Sequence, residues 1–465
     1  MPAATAGRAD LMARVDRTRL RYWWTITKSG PTEFGYHYFR RRRRRKNKGD
    51  ADLLTEGDVL ALSGLFDVLP GELERNAEVV RAYHELDELD VRTIQWFVPV
   101  FRHAYFAGVY TILRFADYLA RVHGVESRFC MYDAPRQGDD RLIARRIADA
   151  FPALAGSEVT MSRPDNPDGD PFGHIRPCDV AIATFWTSAY PVLRFNRCRA
   201  KLYFVQDFEP AFYPAGSGWA LAEETWHFDL PGVVNTPGLA DVYRSYGNPA
   251  VSFEPRVDTE RYHPPARKPS DDGGPVRIFF YGRPTQPRNA FGLGLSSLAK
   301  VKSRYGDRIE LVSAGAEWHP GAYGMADRMT NRGVLPLGKV ADLYRSCDIG
   351  LVFMLTKHPS YQPLEFMASG MVTVTNANPA TAWLLRHDEN ALVAPPAPSL
   401  VAEQIGRAID DAALRRRLAD TALAEVRAGS WEDQIERMWG AITKRGEPFE
   451  TAGITGARRS TAPRA

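Results

Sequence analysis

The sequence predicts an α/β protein built from two doubly wound parallel-sheet domains that face each other across a ligand cleft. Short apolar runs alternate with helical periodicity from residue 94 onward, and the alternation runs long enough for two complete series. A cluster of Pro, Asp and Gly between 263 and 275 interrupts it, so no regular element persists there. With 465 residues, 44% of them apolar, the chain can bury more than one core.

Residues 1–90 read as a basic extension, partly disordered and partly helical. The first 50 residues hold 14 Lys and Arg against 4 Asp and Glu, leaving 46 against 52 in the rest, so the body is mildly acidic. Most of the excess is the run 40–46, from Arg40 to Lys46. Such a run either stays solvated as a tail or meets an anionic membrane surface, where each basic residue contributes about 1 kcal/mol. Nucleic acid is not an expected partner, because no matching basic face or reading motif accompanies it.

The first domain is expected at 91–264, with strands at 94–100, 128–132, 158–161, 179–184, 201–205, 232–235 and 250–253. After the first strand, Val109, Ile112, Leu113, Ala116 and Leu119 fall at helical spacing, while Arg114, Asp117 and Arg121 exclude a membrane span. A linker at 265–275 leads to the second domain at 276–428. Its strands are expected at 276–281, 309–313, 333–337, 349–355, 372–375 and 391–393, and its helices at 291–305, 340–347, 362–369, 380–386 and 400–409. A last helix within 429–447 is expected to pack back across the cleft, and 448–465 to be a disordered tail. Cys130, Cys178, Cys198 and Cys347 stand far apart in sequence, which indicates neither a zinc site nor a disulfide framework and fits a reducing cytoplasm.

Chemistry concentrates at the end of the first strand expected in the second domain. The run 281–289 reads Tyr-Gly-Arg-Pro-Thr-Gln-Pro-Arg-Asn, with Arg283 at a strand end and Arg288 where a helix should begin. Two guanidinium groups beside a helix start make a diphosphate clamp, since they are planar, always charged and matched to phosphate oxygens. Downstream, the run 359–370 carries Glu365 one turn into another helix after a buried strand, where it can accept hydrogen bonds from sugar hydroxyls or simply complement the helix dipole. Gly315, Glu317 and Trp318 follow a strand and so face the cleft, and Val334 and Leu335 are candidates for a base pocket. Gly108 would let backbone approach the reacting groups. Asp207 and Glu209, at a strand end, would orient acceptor hydroxyls, while His103 is a lone histidine beside a turn.

These residues resemble the glycosyltransferases of the GT-B fold, family 4 in the sequence classification, and within it the rhamnan-synthesis-type rhamnosyltransferases of surface glycans. Gly282-Arg283 with Arg288-Asn289 is similar to the family's Gly-Arg followed by Lys-Gly. Val257-Asp258, then Tyr262 and Pro264, is similar to its passage into the linker. Gln206-Asp207-Phe208-Glu209-Pro210 and His358-Pro359-Ser360-Tyr361, running on to Glu365, resemble signatures of the narrower branch. The family at large has a second acid eight positions before Glu365, close to the donor sugar, where this chain has Lys357.

The resemblance implies a metal-independent, retaining transfer of a sugar, L-rhamnose from dTDP-β-L-rhamnose, to a growing cell-surface polysaccharide or lipid-linked glycan. It requires no cofactor beyond the nucleotide-sugar donor. Arg283 and Arg288 would stabilise the leaving diphosphate, with Asn289, Gly315, Glu317, Val334, Leu335, Ser360, Tyr361, Gln362 and Glu365 completing the donor site. Gly108, Gln206, Asp207, Glu209 and His358 would lie on the sugar or acceptor side. A cytoplasmic protein, peripheral at the inner face of the membrane, is the implied location. The alternatives are a UDP- or GDP-hexose donor, or a non-catalytic nucleotide-sugar-binding partner of glycan assembly, which Lys357 would suit. Asp139-Asp140 at a helix start and Asp271-Asp272 in the linker give no reason to expect a metal.

Overall fold

The computed structural model describes residues 66–101, 104–105, 107–132, 139–162, 170 and 172–451; the basic run 40–46, His103 and residues 452–465 lie outside them. The described chain divides into two compact units. The first takes residues up to 100, 108–255 and the stretch from 431 on, and the second takes 256–430 with the short stretch 101–107.

The first unit contains α1 (Pro70–Glu85), β1 (Thr93–Val98), α2 (Ala107–His123), β2 (Glu126–Met131), α3 (Asp139–Ala150), β3 (Val159–Met161), β4 (Cys178–Ala183), α4 (Trp186–Arg194), β5 (Cys198–Val205), α5 (Ser217–Glu224), β6 (Gly232–Asn235), α6 (Pro237–Ser245) and β7 (Ala250–Phe253). Its strands form one parallel sheet in the order β3-β2-β1-β4-β5-β6-β7. The central strands are buried along nearly their whole length rather than alternating, as expected for a parallel sheet covered on both faces. The stripe Val109, Ile112, Leu113, Ala116 and Leu119 is buried, as its spacing requires.

Helix α1 falls inside the segment read as an extension, yet it is built into this unit. Asn76 donates to Phe228 O at 2.7 Å and accepts from the Lys201 ammonium at 3.1 Å. Lys201 also donates to Leu193 O and Asn196 Oδ1, so a buried cation on β5 has its protons matched by acceptors. Burial lowers its pKa to about 8.

Helix α12 (Trp431–Thr443), the last described, packs on this unit through β7. Trp431 lies against Phe115 and Phe253, with the Arg114 guanidinium 5.1 Å from its ring centre. Beyond it, Glu450 exchanges backbone hydrogen bonds of 2.8 and 3.0 Å with Ala250, so the tail expected to be free from 448 starts out tied to a sheet edge.

The second unit contains β8 (Val276–Tyr281), α7 (Phe291–Tyr305), β9 (Ile309–Ala314), β10 (Thr330–Asn331), α8 (Leu337–Arg345), β11 (Ile349–Leu351), α9 (Gln362–Ala368), β12 (Val372–Asn376), β13 (Ala391–Ala394), α10 (Pro398–Asp410) and α11 (Ala412–Val426). Its parallel sheet runs β10-β9-β8-β11-β12-β13. In both sheets the order reverses beside the first strand, between β1 and β4 and between β8 and β11. Open α/β sheets bind ligands at the carboxyl end of such a reversal.

Three expectations change. The division falls at 255/256 rather than within 265–275, because the proline-rich segment is pinned to the second sheet: Lys268 donates to Cys347 O and Gly370 O. Residues 333–337 are not a strand; β10 ends at Asn331 and the next residues turn into α8. The expected helix at 380–386 is one 3-10 turn, Pro379–Thr381. Cys178 and Cys198, distant in sequence, stand opposite each other in the β4–β5 register as free thiols. Burial pushes both up, Cys198 to about 11.

If Trp431 anchors α12, Trp431→Ala should cost about 3–5 kcal/mol of first-unit stability, the loss expected for a buried indole. Urea unfolding followed by far-UV circular dichroism reads this directly. An unchanged midpoint would show that the helix is dispensable.

Candidate active site

Strand β8 ends at Tyr281, and the chain then turns sharply, with Gln286 N–H donating to Arg283 O and Asn289 N–H to Gln286 O. Arg288 sits in the 3-10 turn Pro287–Asn289 just before α7, beside the helix start; Ala290, left-handed at φ 47°, separates them. Arg283 lies across Tyr281, its guanidinium carbon 5.7 Å from the ring centre and Nη1 3.3 Å from the phenol oxygen. Gly315, at the end of β9 with φ 118°, makes room for that pair. A Cβ there would stand 2.7 Å from the Tyr281 ring and 3.3 Å from Arg283 Cγ.

The loop after β11 meets the loop after β8 at the reversal in strand order. Leu355 N–H donates to Arg288 O at 3.1 Å, and Asn289 donates to Phe353 O at 3.3 Å. Asn376 and Asn378 brace the same loop from β12: Met354 N–H donates to Asn376 Oδ1 at 3.0 Å, and Asn378 donates to Thr356 O at 2.6 Å. Ser360, left-handed at φ 66°, donates its N–H to His358 Nδ1 at 2.9 Å, and its hydroxyl bonds Gln362 Oε1. Two non-glycine residues held left-handed, Ala290 and Ser360, thus flank one small region, each at a cost of about 1–2 kcal/mol.

His358 is buried, and its Nδ1 acceptor role places the proton on Nε2. Burial, reinforced by the charge of Arg288, holds its pKa down to about 3. Tyr361 lies with its ring centre 6.1 Å from that of His358. Glu365, in the first turn of α9, is half-buried. Burial pushes its carboxyl up to about 7, against the pull of the Tyr262 and Tyr344 hydroxyls and of Arg261. Both tyrosines are buried, and Tyr262 is the aromatic residue of the motif leading out of the first unit.

Among the described residues, three buried polar atoms in this region have no hydrogen-bond partner, Arg283 Nε, Asn289 Oδ1 and His358 Nε2, as do others elsewhere such as Trp226 Nε1 and Asn248 Oδ1. What sets the three apart is their place at a strand-order reversal, where open α/β sheets bind ligands and a polar ligand can complete the bonding. Among the described residues no group of three or more His, Cys, Asp or Glu is placed to hold a metal ion.

Other predicted residues take supporting positions. Gly315 N–H donates to Gly333 O, and Glu317 lies over Gly333 with Oε1 3.3 Å from Val334 N. Val334 is 57% exposed and lies in the turn after β10 rather than in a strand. Leu335, partly buried, packs against the core cluster that contains Tyr344. Trp318 donates to Gly282 O at 3.1 Å and packs on Phe291, buttressing the Arg283 loop. Lys357 is exposed. Sequence reading passed over Tyr281, Tyr344, Asn376 and Asn378; an aromatic or amide at a strand end is too common a pattern to single them out.

In the first unit, Gly108 near the start of α2 packs against Gln206, the residue after β5; a Cβ at Gly108 would stand 3.3 Å from the Gln206 amide nitrogen. Asp207 is buried and accepts from Phe208 N–H at 2.8 Å. Glu209 is more deeply buried, at 2% exposure, and its Oε2 accepts from Trp186 N–H at 2.5 Å and Tyr203 hydroxyl at 2.8 Å. Burial drives its pKa well up. Its geometry is that of a framework residue fixing the start of α4 against β5, not of a group offered to an acceptor. Adjacency to an exposed strand end made it look available; the 3-10 turn Glu209–Phe212 folds it inward.

Comparison with known proteins follows the same lines. The family model described as WsaF, C-terminal domain matches residues 276–406. The O-antigen biosynthesis protein RfbC of Myxococcus xanthus is 46% identical over 359 residues, 77% of this chain. The chain spans 27% of that relative's length. Among solved structures, Anabaena Alr3699/HepE, determined with UDP and glucose, superposes with a TM-score of 0.57 at 12% identity over 76% of this chain and 98% of that one. A mutant of S. aureus TarM, determined with Fondaparinux, alpha-GlcNAc-glycerol and UDP, gives 0.61 at 7% identity over 76% and 99%. Sucrose-phosphate synthase from Thermosynechococcus elongatus gives 0.54 at 14% identity over 75% and 97%. The fold is GT-B. Two parallel-sheet units of this kind are what the sequence predicts.

Two measurements check these assignments. Glu209→Ala should destabilise the first unit by about 1–3 kcal/mol for each buried donor left unpaired, while Glu209→Gln should retain most of the stability. Equal losses would restore a functional carboxylate to consideration. For Glu365, whose native pKa is raised from its ordinary value to about 7, the native state holds the proton more tightly than the unfolded chain. Its stabilising contribution is therefore complete below about pH 4.5 and fades as pH rises through about 7. Glu365→Gln should flatten the stability profile across that window, read by thermal melts at stepped pH.

Proposed function

We propose that the chain is a glycosyltransferase of surface-polysaccharide assembly whose second unit binds a nucleotide-sugar donor. The observation that carries this reading is the meeting of two loops at the β8–β11 reversal, bringing Arg283, Arg288 and unpaired buried polar atoms into one region. The match to the WsaF C-terminal domain covers these loops, and the similarity to RfbC supports the polysaccharide context.

The donor in this reading is dTDP-β-L-rhamnose and the acceptor a growing polysaccharide or lipid-linked glycan. The bond from the anomeric carbon to the diphosphate oxygen breaks, and the acceptor oxygen forms its bond on the same face, so configuration is retained. The acceptor proton passes to the departing phosphate. Negative charge grows on the diphosphate, where Arg283 and Arg288 act as preorganised cations and supply the stabilisation without a metal. Glu365, half-buried against two tyrosines, meets the ribose hydroxyls, and Gly108, Gln206 and Asp207 serve the acceptor. Glu209 is left out, since its carboxyl is engaged in the framework.

Arg283→Ala and Arg288→Ala should each lower kcat/KM by about 2–4 kcal/mol, roughly thirty- to a thousandfold. Product masses from labelled dTDP-rhamnose and short oligosaccharide acceptors provide the readout. Titration with dTDP, UDP and GDP tests the base. Failure of dTDP to bind would end the rhamnose assignment, and binding without transfer or hydrolysis would point to a sensor instead.

A further inference from the structure

The transfer described above gives His358 no role. It is buried at 5% exposure, and its ring is oriented by the Ser360 N–H bond to Nδ1. That bond determines which nitrogen is protonated: Nδ1 accepts, so Nε2 carries the hydrogen. Nε2 is buried and without a protein partner. A buried N–H with nothing to donate to is costly unless a ligand supplies the acceptor. The cost is imposed by the surrounding fold: Ser360 is held left-handed to aim its N–H at the ring, and Asn378 braces the loop through Thr356 O.

Arg288 identifies the acceptor's chemistry. Its charge acts on the imidazole, and together with burial it keeps the ring neutral. An imidazolium beside a fixed guanidinium would repel it, whereas a neutral ring can stand close and still donate one hydrogen bond. The Leu355 N–H bond to Arg288 O joins the turn carrying this cation to the loop carrying His358, and a cation and an N–H donor on joined loops suit an anionic oxygen, whereas a sugar hydroxyl would make less use of the cation.

We propose that His358 binds the donor's diphosphate, its Nε2–H donating to a phosphate oxygen at the junction of the two loops. This rests on the second unit being the nucleotide-sugar site, but it moves His358 from the sugar or acceptor side to the leaving group.

The test combines two variants with one spectroscopic measurement on the full chain. Isothermal titration with dTDP should show affinity falling about tenfold or more in His358→Leu, the loss expected for one hydrogen bond to a charged oxygen. His358→Gln, whose amide can place a donor near Nε2, should recover part of it. In wild-type protein with 15N-labelled histidine, the ring should give the Nε2–H tautomer pattern at pH 7, with that proton moving downfield when dTDP is added. The nuclear magnetic resonance result stands even if His358→Leu fails to fold. An Nδ1–H tautomer, an imidazolium, or no shift with bound dTDP would overturn the proposal. So would His358→Leu binding dTDP as well as wild type while weakening only for dTDP-rhamnose, because the contact would then be to sugar. If wild-type protein binds none of dTDP, UDP and GDP, the nucleotide-sugar reading itself fails and this inference with it.

Discussion

Strand β8 is the constraint from which the second unit's chemistry descends. It is hydrogen-bonded along both edges, to β9 over its full length and to β11 over three residues, so the point at which the chain leaves the sheet is set from two sides. Gly282 and Arg283 leave from a position that cannot slip by one residue without exchanging Ile278 and Phe280 on one packed face with Phe279 on the other. The loop after β11 is fixed by the same ladder, which is why Arg288 and Leu355, far apart in sequence, meet with their backbones hydrogen-bonded.

Around that meeting point unpaired buried atoms and left-handed residues gather at one strand-order reversal, although single instances of each occur elsewhere, at Trp226 and Asn248 and at Asp229 and Thr236. In the first unit the buried charges are well matched: Lys201 has three acceptors, Asn76 bridges two elements, and Glu209 takes two donors. Near Arg283, Asn289 and His358 the bonding is incomplete, and Ala290 and Ser360 hold backbone angles that their side chains disfavour. Such departures persist only when neighbouring structure over-determines them. The asparagines of β12 and the residues after it, with Tyr281, Tyr262, Tyr344 and Trp318, are that neighbouring structure.

Legibility in the sequence followed the physics of each element. Runs such as 250–253 and 276–281 could be read to the residue because apolar side chains dominate them, with one polar residue each, Ser252 and Arg277. The 333–337 segment was misread because its apolar residues serve a turn and a helix start rather than a sheet. Helix α11 has weak amphipathic patterning and was not anticipated, although it covers the edge of the core with Leu418, Ala422 and Val426. Residue type and order along the chain brought Arg283, Arg288, Ser360 and Glu365 into view, since charge at a strand end is a local signal. Burial is not local, and it separated Glu209 from the functional set and His358 from the ordinary histidines.

The pairing of Glu450 with Ala250 bears on how the first unit behaves in company. Strand β7 lies at the border of its sheet, where unpaired amides and carbonyls invite another chain to add on. The returning segment occupies the opening of that border, and Arg244 reinforces it through Ala250 O and the Glu450 carboxylate. A chain shortened before this clasp would keep its helices and its core yet present a sticky rim, so its defect would surface as concentration-dependent oligomers in light scattering rather than as lost secondary structure.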